Sequence, residues 1–99
     1  MSEEYEFTLF VAGTGELSTR AKANFDRVIR SRLGDRCTLR VVDILDDPEA
    51  AAANRVIAVP LLVRTRPSPA VKLLGDLSAG DDALAHFGIG HPQHQEGDT

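Results

Sequence analysis

The stretch YEFTLFVAGTGELSTRAKANFDRVIRSRLGDRCTLRVVDIL, residues 5–45, decides the fold. Its opening run, residues 5–12, alternates around an extended backbone. Phe7, Leu9 and Val11 fall on one side, and Phe10 and Ala12 on the other. Apolar character on both faces predicts a buried, central strand. Gly13-Thr14-Gly15 ends it with turn chemistry. Leu17, Ala21, Phe25, Val28, Ile29 and Leu33 then recur at helical spacing, with charges on the opposite face. Ser18 offers an N-cap and Gly34 a stop, so a helix is predicted over residues 18–33. Residues 37–45 read as a second strand. Two strands joined by a long helical connection pair in parallel, with a right-handed crossover.

Working outward, Asp47-Pro48-Glu49 opens a short second helix. Asp can cap it, Pro fits the first turn, Glu suits the positive end of the dipole, and the alanines that follow favour helix. Residues 56–63 are apolar but contain Pro60, which is awkward inside a central strand. The strand is therefore predicted to begin at Pro60, with Val59–Pro60 a candidate cis peptide. Arg66-Pro67-Ser68-Pro69 makes a turn. Residues 70–74 form a fourth strand, antiparallel to the third, and Gly75-Asp76 ends it. Ser78 is the expected cap of a last helix over residues 78–87, with Asp81 in its first turn. The order is βαβαββα. A parallel pair followed by a hairpin, with helices on both faces of a mixed four-stranded sheet, is an α/β, thioredoxin-like arrangement. One domain is expected over residues 1–87, followed by a loose polar tail over residues 88–99.

Composition narrows the function. The chain has 99 residues, 11 basic and 15 acidic, for a net charge of −4. That argues against a nucleic-acid-binding face, which needs clustered excess Lys and Arg. The first residues are polar and acidic, unlike a secretory signal, and no apolar run approaches the roughly 20 residues of a membrane span. The expectation is a soluble cytoplasmic protein. The single cysteine, Cys37, excludes an intrachain disulfide, a CxxC pair and a Cys-rich zinc site.

In a thioredoxin-like enzyme the nucleophilic cysteine sits where the first strand meets the first helix. Here that junction is Gly13-Thr14-Gly15-Glu16-Leu17-Ser18, without cysteine. Ser18 has no base nearby in sequence, and Cys37 lies elsewhere and reads as a small core residue. Gly13-x-Gly15, with Asp43 at the end of the second strand, partly matches a dinucleotide fingerprint; a glycine-rich turn is the plainer reading. His86, His91 and His94 form no complete metal set. Asp46-Asp47 and Asp81-Asp82 sit at helix starts, where capping explains them. No catalytic, cofactor or metal residue is expected. Exposed arginines, edge strands and a Pro-rich hairpin instead suit a binding module.

LFVAG at residues 9–13, Ser18-x-Arg20-Ala21, RVVDILDDPEAA at residues 40–51 and IAVPLLVRTRPSPAVKLLGDLS at residues 57–78 together resemble the KaiB family. The most specific pieces are VAG, DPE, the Val59-Pro60 step, the spaced Pro67 and Pro69, and GDLS. The resemblance implies a non-enzymatic adaptor that binds a KaiC-like ATPase in a circadian, timing or stress-response system. A free-standing relative of the KaiB-like sensor domain of a histidine kinase is the second implied reading. It also implies two folds for one sequence, a thioredoxin-like state that binds the ATPase and a ground-state KaiB fold that assembles into tetramers; self-association as dimer or tetramer follows. By resemblance the ATPase-facing positions are Arg20, Arg55, Arg64 and Lys72. Gly13, Pro60, Gly75 and Ser78 are structural. His86 and Gly88 stand where the family pattern has glycine and aspartate that help hold the ground state, so this chain is expected to rest in the thioredoxin-like state. Residues 78–87 favour a helix independently, through cap, acidic first turn and Ala and Leu content.

Overall fold

The structure, a computed structural model, describes residues 4–89. Strand β1 (Tyr5–Val11) leads into helix α1 (Glu16–Asn24), which continues as a π-helical segment (Phe25–Arg30) and a last α turn, α2 (Ser31–Leu33). A 3-10 turn (Gly34–Arg36) delivers β2 (Cys37–Asp43). Helix α3 (Pro48–Ala53), the hairpin β3 (Leu61–Arg66) and β4 (Val71–Leu74), and helix α4 (Gly80–His86) follow. The sheet order is β2-β1-β3-β4. β1 pairs in parallel with β2 along its whole length and antiparallel with β3, and β3 pairs antiparallel with β4. The predicted element order and mixed sheet are those observed.

The alternation in β1 sets the two layers. Phe7, Leu9 and Val11 face a core closed by Phe25, Ile29 and Leu33 of the first helical rod, by Leu84 of α4 and by Phe87 at its C-cap. Phe10 points the other way, into a smaller cluster with Val42, Leu61 and Val63 under Ala50 of α3. Helices therefore cover both faces of the sheet. β1, with partners on both edges and both faces, is the most buried strand, as its apolar pattern requires.

Several boundaries differ from expectation. α1 starts at Glu16, two residues early, and Gly15 occupies the N-cap position without a side-chain cap. Ser18 thus lies inside the first turn. It is 4% exposed, and its Oγ donates to the Gly13 carbonyl at 3.0 Å. Leu17, expected in the apolar stripe, is turned out to 56% exposure. Ser18 takes the inward place because it can bury its hydroxyl against a free loop carbonyl. Asp47 caps α3 as expected, accepting from the Ala50 N–H at 3.1 Å. The Val59–Pro60 bond is cis, Pro60 is buried, and the strand proper begins one residue later.

At the last helix Ser78 is not the cap; Ala79 holds that position. The Ser78 N–H instead donates to the Asp76 carboxylate at 3.0 Å. The Asp76 carbonyl accepts from Asn24 Nδ2 at 2.7 Å, tying this loop to the first helical rod.

The tail boundary also moves. Gly88, with φ +73°, is the left-handed residue that closes α4. Its N–H donates to Ala85 and the Ile89 N–H to Leu84, the paired bonds of a Schellman stop. Ile89 is 4% exposed and packs in the core. The packed body therefore reaches Ile89, beyond the boundary at residue 87, because a Schellman stop folds the next apolar residue back onto the helix. His91 and His94, with the rest of the expected tail, lie outside the described residues.

Arg64 on β3 fastens this end. Its guanidinium donates to the Phe87 carbonyl and, at 2.9 Å, to the Pro69 carbonyl. One side chain thus joins hairpin, sheet and α4. Arg64→Met, which keeps the apolar stem, is expected to lower stability by about 1.5–3 kcal/mol, the range for hydrogen bonds to a charged group. Urea denaturation monitored by circular dichroism measures it, and a loss below about 0.5 kcal/mol would show that the two bonds contribute little.

Candidate functional site

The helix-one junction, where a thioredoxin-like enzyme would keep its thiol, is closed by hydrogen bonds within the chain. Asp43 Oδ1 accepts from the Gly13 N–H at 2.9 Å and from the Leu45 N–H at 3.0 Å. The Gly13 N–H first, then that of Leu45, holds the Asp43 carboxyl below the usual carboxylate range. The oxygen that would have to grip a ribose is thus committed to pinning the loop after β1 to the loop after β2.

That bonding has a pH signature. The folded carboxyl titrates below its unfolded value of about 4. Its stabilisation is therefore complete above that value and is lost as pH falls through the lower folded value. Asp43→Asn is expected to be less stable than the parent at pH 7, with the gap closing toward pH 2. Urea midpoints at the two pH values measure it, and an equal gap at both would contradict the assignment.

Cys37 is remote from this junction and buried, with its Sγ toward the Gly34 carbonyl. Burial pushes its thiol up, against the pull of Arg30. Those are the properties of an inert core residue, not of a nucleophile. His86 Nε2 lies 2.6 Å from the Lys72 carbonyl and ties α4 to β4.

The topology puts four loops at one end of the sheet: those after β1, β2 and β4, and the one before β3. The large exposed apolar side chains gather there. Leu17, Leu45, Ile57 and Leu74 are 56%, 70%, 96% and 60% exposed. Val41, at 41%, lies inside β2. Ile57, Ala58, Leu61 and Leu74 line an open groove of about 370 Å³ whose rim carries Arg55 and Lys72. A contiguous apolar patch with a polar rim marks an interaction site.

Arg55 has an unusual backbone. The Arg55 N–H donates to Ala52 and the Val56 N–H to Ala51, so α3 ends in the same motif as α4. Glycine fills the left-handed position at Gly88; here arginine fills it, at φ +55°. A Cβ in that conformation crowds the following carbonyl and costs about 1–2 kcal/mol. Such strain collects where a side chain has a task outside folding.

Of the four basic positions implied by resemblance, the structure brings Arg55 and Lys72 together across the groove. The Lys72 ammonium reaches back to the Asn54 carbonyl at 2.6 Å. Arg20 sits on the α1 side of the same end, between Glu16 at 2.8 Å and Asp76 at 3.5 Å. Arg64 lies apart, committed to internal carbonyls. Gly13 and Gly75 both have positive φ, in the loops that frame this end. The exposed apolar residues were missed from sequence, because Leu17, Leu45, Ile57 and Leu74 all sit in apolar runs that read as core. Strict alternation in β4 held a signal: Val71 and Leu73 pack inward, so Leu74 must face out with Lys72.

Comparison with known proteins agrees with this fold. The solved structures it resembles include the N-terminal domain of Synechococcus elongatus SasA, with a TM-score of 0.71 at 19% identity, covering 100% of this chain and 92% of that one. Chloroplastic thioredoxin z matches with a TM-score of 0.69 at 17% identity, over 88% of this chain and 79% of that one. At these identities the likeness establishes the thioredoxin-like fold. Sequence relatives are nearer. A circadian clock oscillator protein KaiB of Nostoc punctiforme is 30% identical, across 95% of this chain and 90% of its own length. A circadian clock protein KaiB3 of Synechocystis is 29% identical, across 82% and 79%. The KaiB domain model matches residues 8–88, which run from within β1 through the other three strands and every helix described above. The chain belongs to the KaiB family.

Proposed function

We propose that this chain is a non-catalytic adaptor of a timing system, which docks a KaiC-type ATPase through the loop end of its sheet. The observation that carries the reading is Arg55, held in a left-handed backbone beside the 96% exposed Ile57 and the apolar groove. Its relatives are named circadian clock proteins, and the ATPase as partner is what the family resemblance implies. The hydrogen-bonded junction at Gly13 and Asp43 and the buried Cys37 support a role without chemistry. The likeness to the SasA N-terminal domain favours one second reading, a free-standing counterpart of a kinase sensor domain.

Isothermal titration with a KaiC-type ATPase from the same source, alone and with a sensor kinase as competitor, tests both. Saturable heat of binding is expected with the ATPase. Absence of binding at about 100 μM would reject the first reading, since functional adaptor complexes are tighter than that.

Arg55→Gly separates binding from folding. Glycine relieves the left-handed strain but gains freedom in the unfolded chain, so stability is expected to stay level or rise by up to about 1 kcal/mol. Affinity for the ATPase is expected to fall about tenfold or more, as for loss of an interface arginine. A variant that is destabilised but binds normally would reverse the assignment of Arg55.

A further inference from the structure

β4 has a strand neighbour on one side only. Just past its end, the Gly75 N–H donates inward to the Pro60 carbonyl at 2.9 Å. In an antiparallel strand alternate residues turn both backbone groups the same way. Val71 and Leu73 therefore bond toward β3, while Lys72 and Leu74 turn their N–H and C=O groups outward. The Lys72 carbonyl agrees with this: it accepts from His86 Nε2 of α4 at 2.6 Å. An imidazole thus occupies one place on an otherwise unpaired sheet edge.

Between that edge and α4 lies an open groove of about 250 Å³. Leu73, Leu74, Ala79 and Ala83 give it apolar walls, and Asp82 and His86 bring polar groups to it. Asp76, at one end, is committed to the Ser78 N–H and to Arg20. Asp82 is exposed, and none of the ion pairs found among the described residues involves it. The Lys72 ammonium is turned to the other face of the sheet, where it reaches the Asn54 carbonyl. The groove is therefore apolar with one uncompensated negative charge.

We infer that this groove takes an extended peptide segment of another protein, added to the sheet as a fifth strand beside β4. A peptide N–H displaces His86 from the Lys72 carbonyl, and peptide carbonyls accept from the outward N–H groups of Lys72 and Leu74. Main-chain bonds of this kind give affinity, and a side chain in an adjoining pocket gives selectivity. The pocket suits lysine, whose apolar stem can lie along Leu73 and Ala83 while its ammonium meets Asp82. A bare edge is an aggregation hazard, and His86 blunts it by covering an acceptor. His86 is thus a plug that the incoming strand moves aside. This binding mode is independent of the ATPase.

The probe is the blocked heptapeptide acetyl-Ser-Val-Thr-Lys-Val-Thr-Ser-amide, added to the isotope-labelled full chain. Saturable shifts of the backbone amides are expected at residues 71–75 and 79–86, with a Kd below about 1 mM. Two further peptides are N-methylated at alternate residues, one in each register. Only one edge of an added strand faces β4, so one should bind as the parent peptide does and the other about tenfold more weakly or worse. A peptide with glutamate for the lysine should bind about fivefold more weakly, and this difference should vanish in Asp82→Asn. His86→Ala should bind the parent peptide about three- to tenfold more tightly, its competing bond gone. n-Butylamine, which offers stem and ammonium without a backbone, should produce far smaller shifts at equal concentration. The comparison of the N-methylated peptides uses the unaltered chain and stands whatever the variants do. No saturable shift, shifts centred elsewhere, equal binding of the two N-methylated peptides, or n-butylamine as effective as the peptide would each overturn strand addition. Weaker binding by a folded His86→Ala would overturn the plug, and a glutamate peptide that binds as well as the lysine peptide would overturn the role of Asp82.

Discussion

Phe87→Ala is expected to cost about 3–5 kcal/mol, the range for emptying a buried aromatic site. Phe87 is fully buried, and its ring meets Phe7 edge-on at 5.4 Å between centroids. Phe7 in turn meets Phe25 edge-on at 5.3 Å. The three rings join the end of α4, β1 and the first helical rod into one packed unit, and only Phe87, the C-cap residue, comes from the α4 side. Seven residues are far too few for a helix to persist alone in water, so α4 owes its form to this packing. Loss of the ring should also loosen the hydrogen bonds at the end of α4, including that from the Arg64 guanidinium to the Phe87 carbonyl. A domain this small has roughly 5–15 kcal/mol in total, so the variant should sit near its unfolding midpoint under mild denaturant. Urea titration gives the size of the effect. Hydrogen exchange should show residues 80–89 losing protection before the sheet. A cost below about 1 kcal/mol would mean that α4 is held by other means.

Ile57→Asp is expected to leave stability within about 0.5 kcal/mol and weaken docking of the ATPase about 30-fold or more. The first expectation follows from exposure: at 96%, the Ile57 side chain contributes almost nothing to the core. The second follows from placing a carboxylate where the partner's apolar surface must lose its water. An unpaired charge there has to be desolvated without compensation. Leu74→Asp, on the opposite wall of the groove, should act in the same direction. Ser68→Asp, in the hairpin turn at the other end of the sheet, should bind as the parent does. Equal affinity of Ile57→Asp and the parent would move the interface elsewhere.

The fold was readable wherever one physical rule acted alone. The two-sided apolar pattern of β1 required partners on both edges and both faces, and it has them. Asp47-Pro48-Glu49 announced α3 because a cap, a fixed φ and a dipole partner coincide there. Reading failed where two local roles competed. Ser18 and Ser78 both look like caps, yet one is buried against the Gly13 carbonyl and the other leans on Asp76. Gly88 looked like the start of a tail because a Schellman stop shows itself only when the following apolar residue, Ile89, has a core to enter. The site was less legible than the fold. Basic residues could be named, but their grouping depends on strand order, which brings Lys72 to Arg55 and takes Arg64 inward. Exposed leucines cannot be told from core leucines until the sheet's faces and ends are known.

The most direct test of the central claim is the loss of backbone amide signals from the labelled chain on adding small amounts of a KaiC-type ATPase. Slow tumbling of the complex broadens the signals of residues at the contact first. Broadening is expected to begin in the loops at residues 44–47 and 54–59 and around Lys72 to Asp76, at the loop end of the sheet. Broadening that begins in the hairpin turn at residues 67–70, or spectra unchanged by the ATPase, would contradict the account.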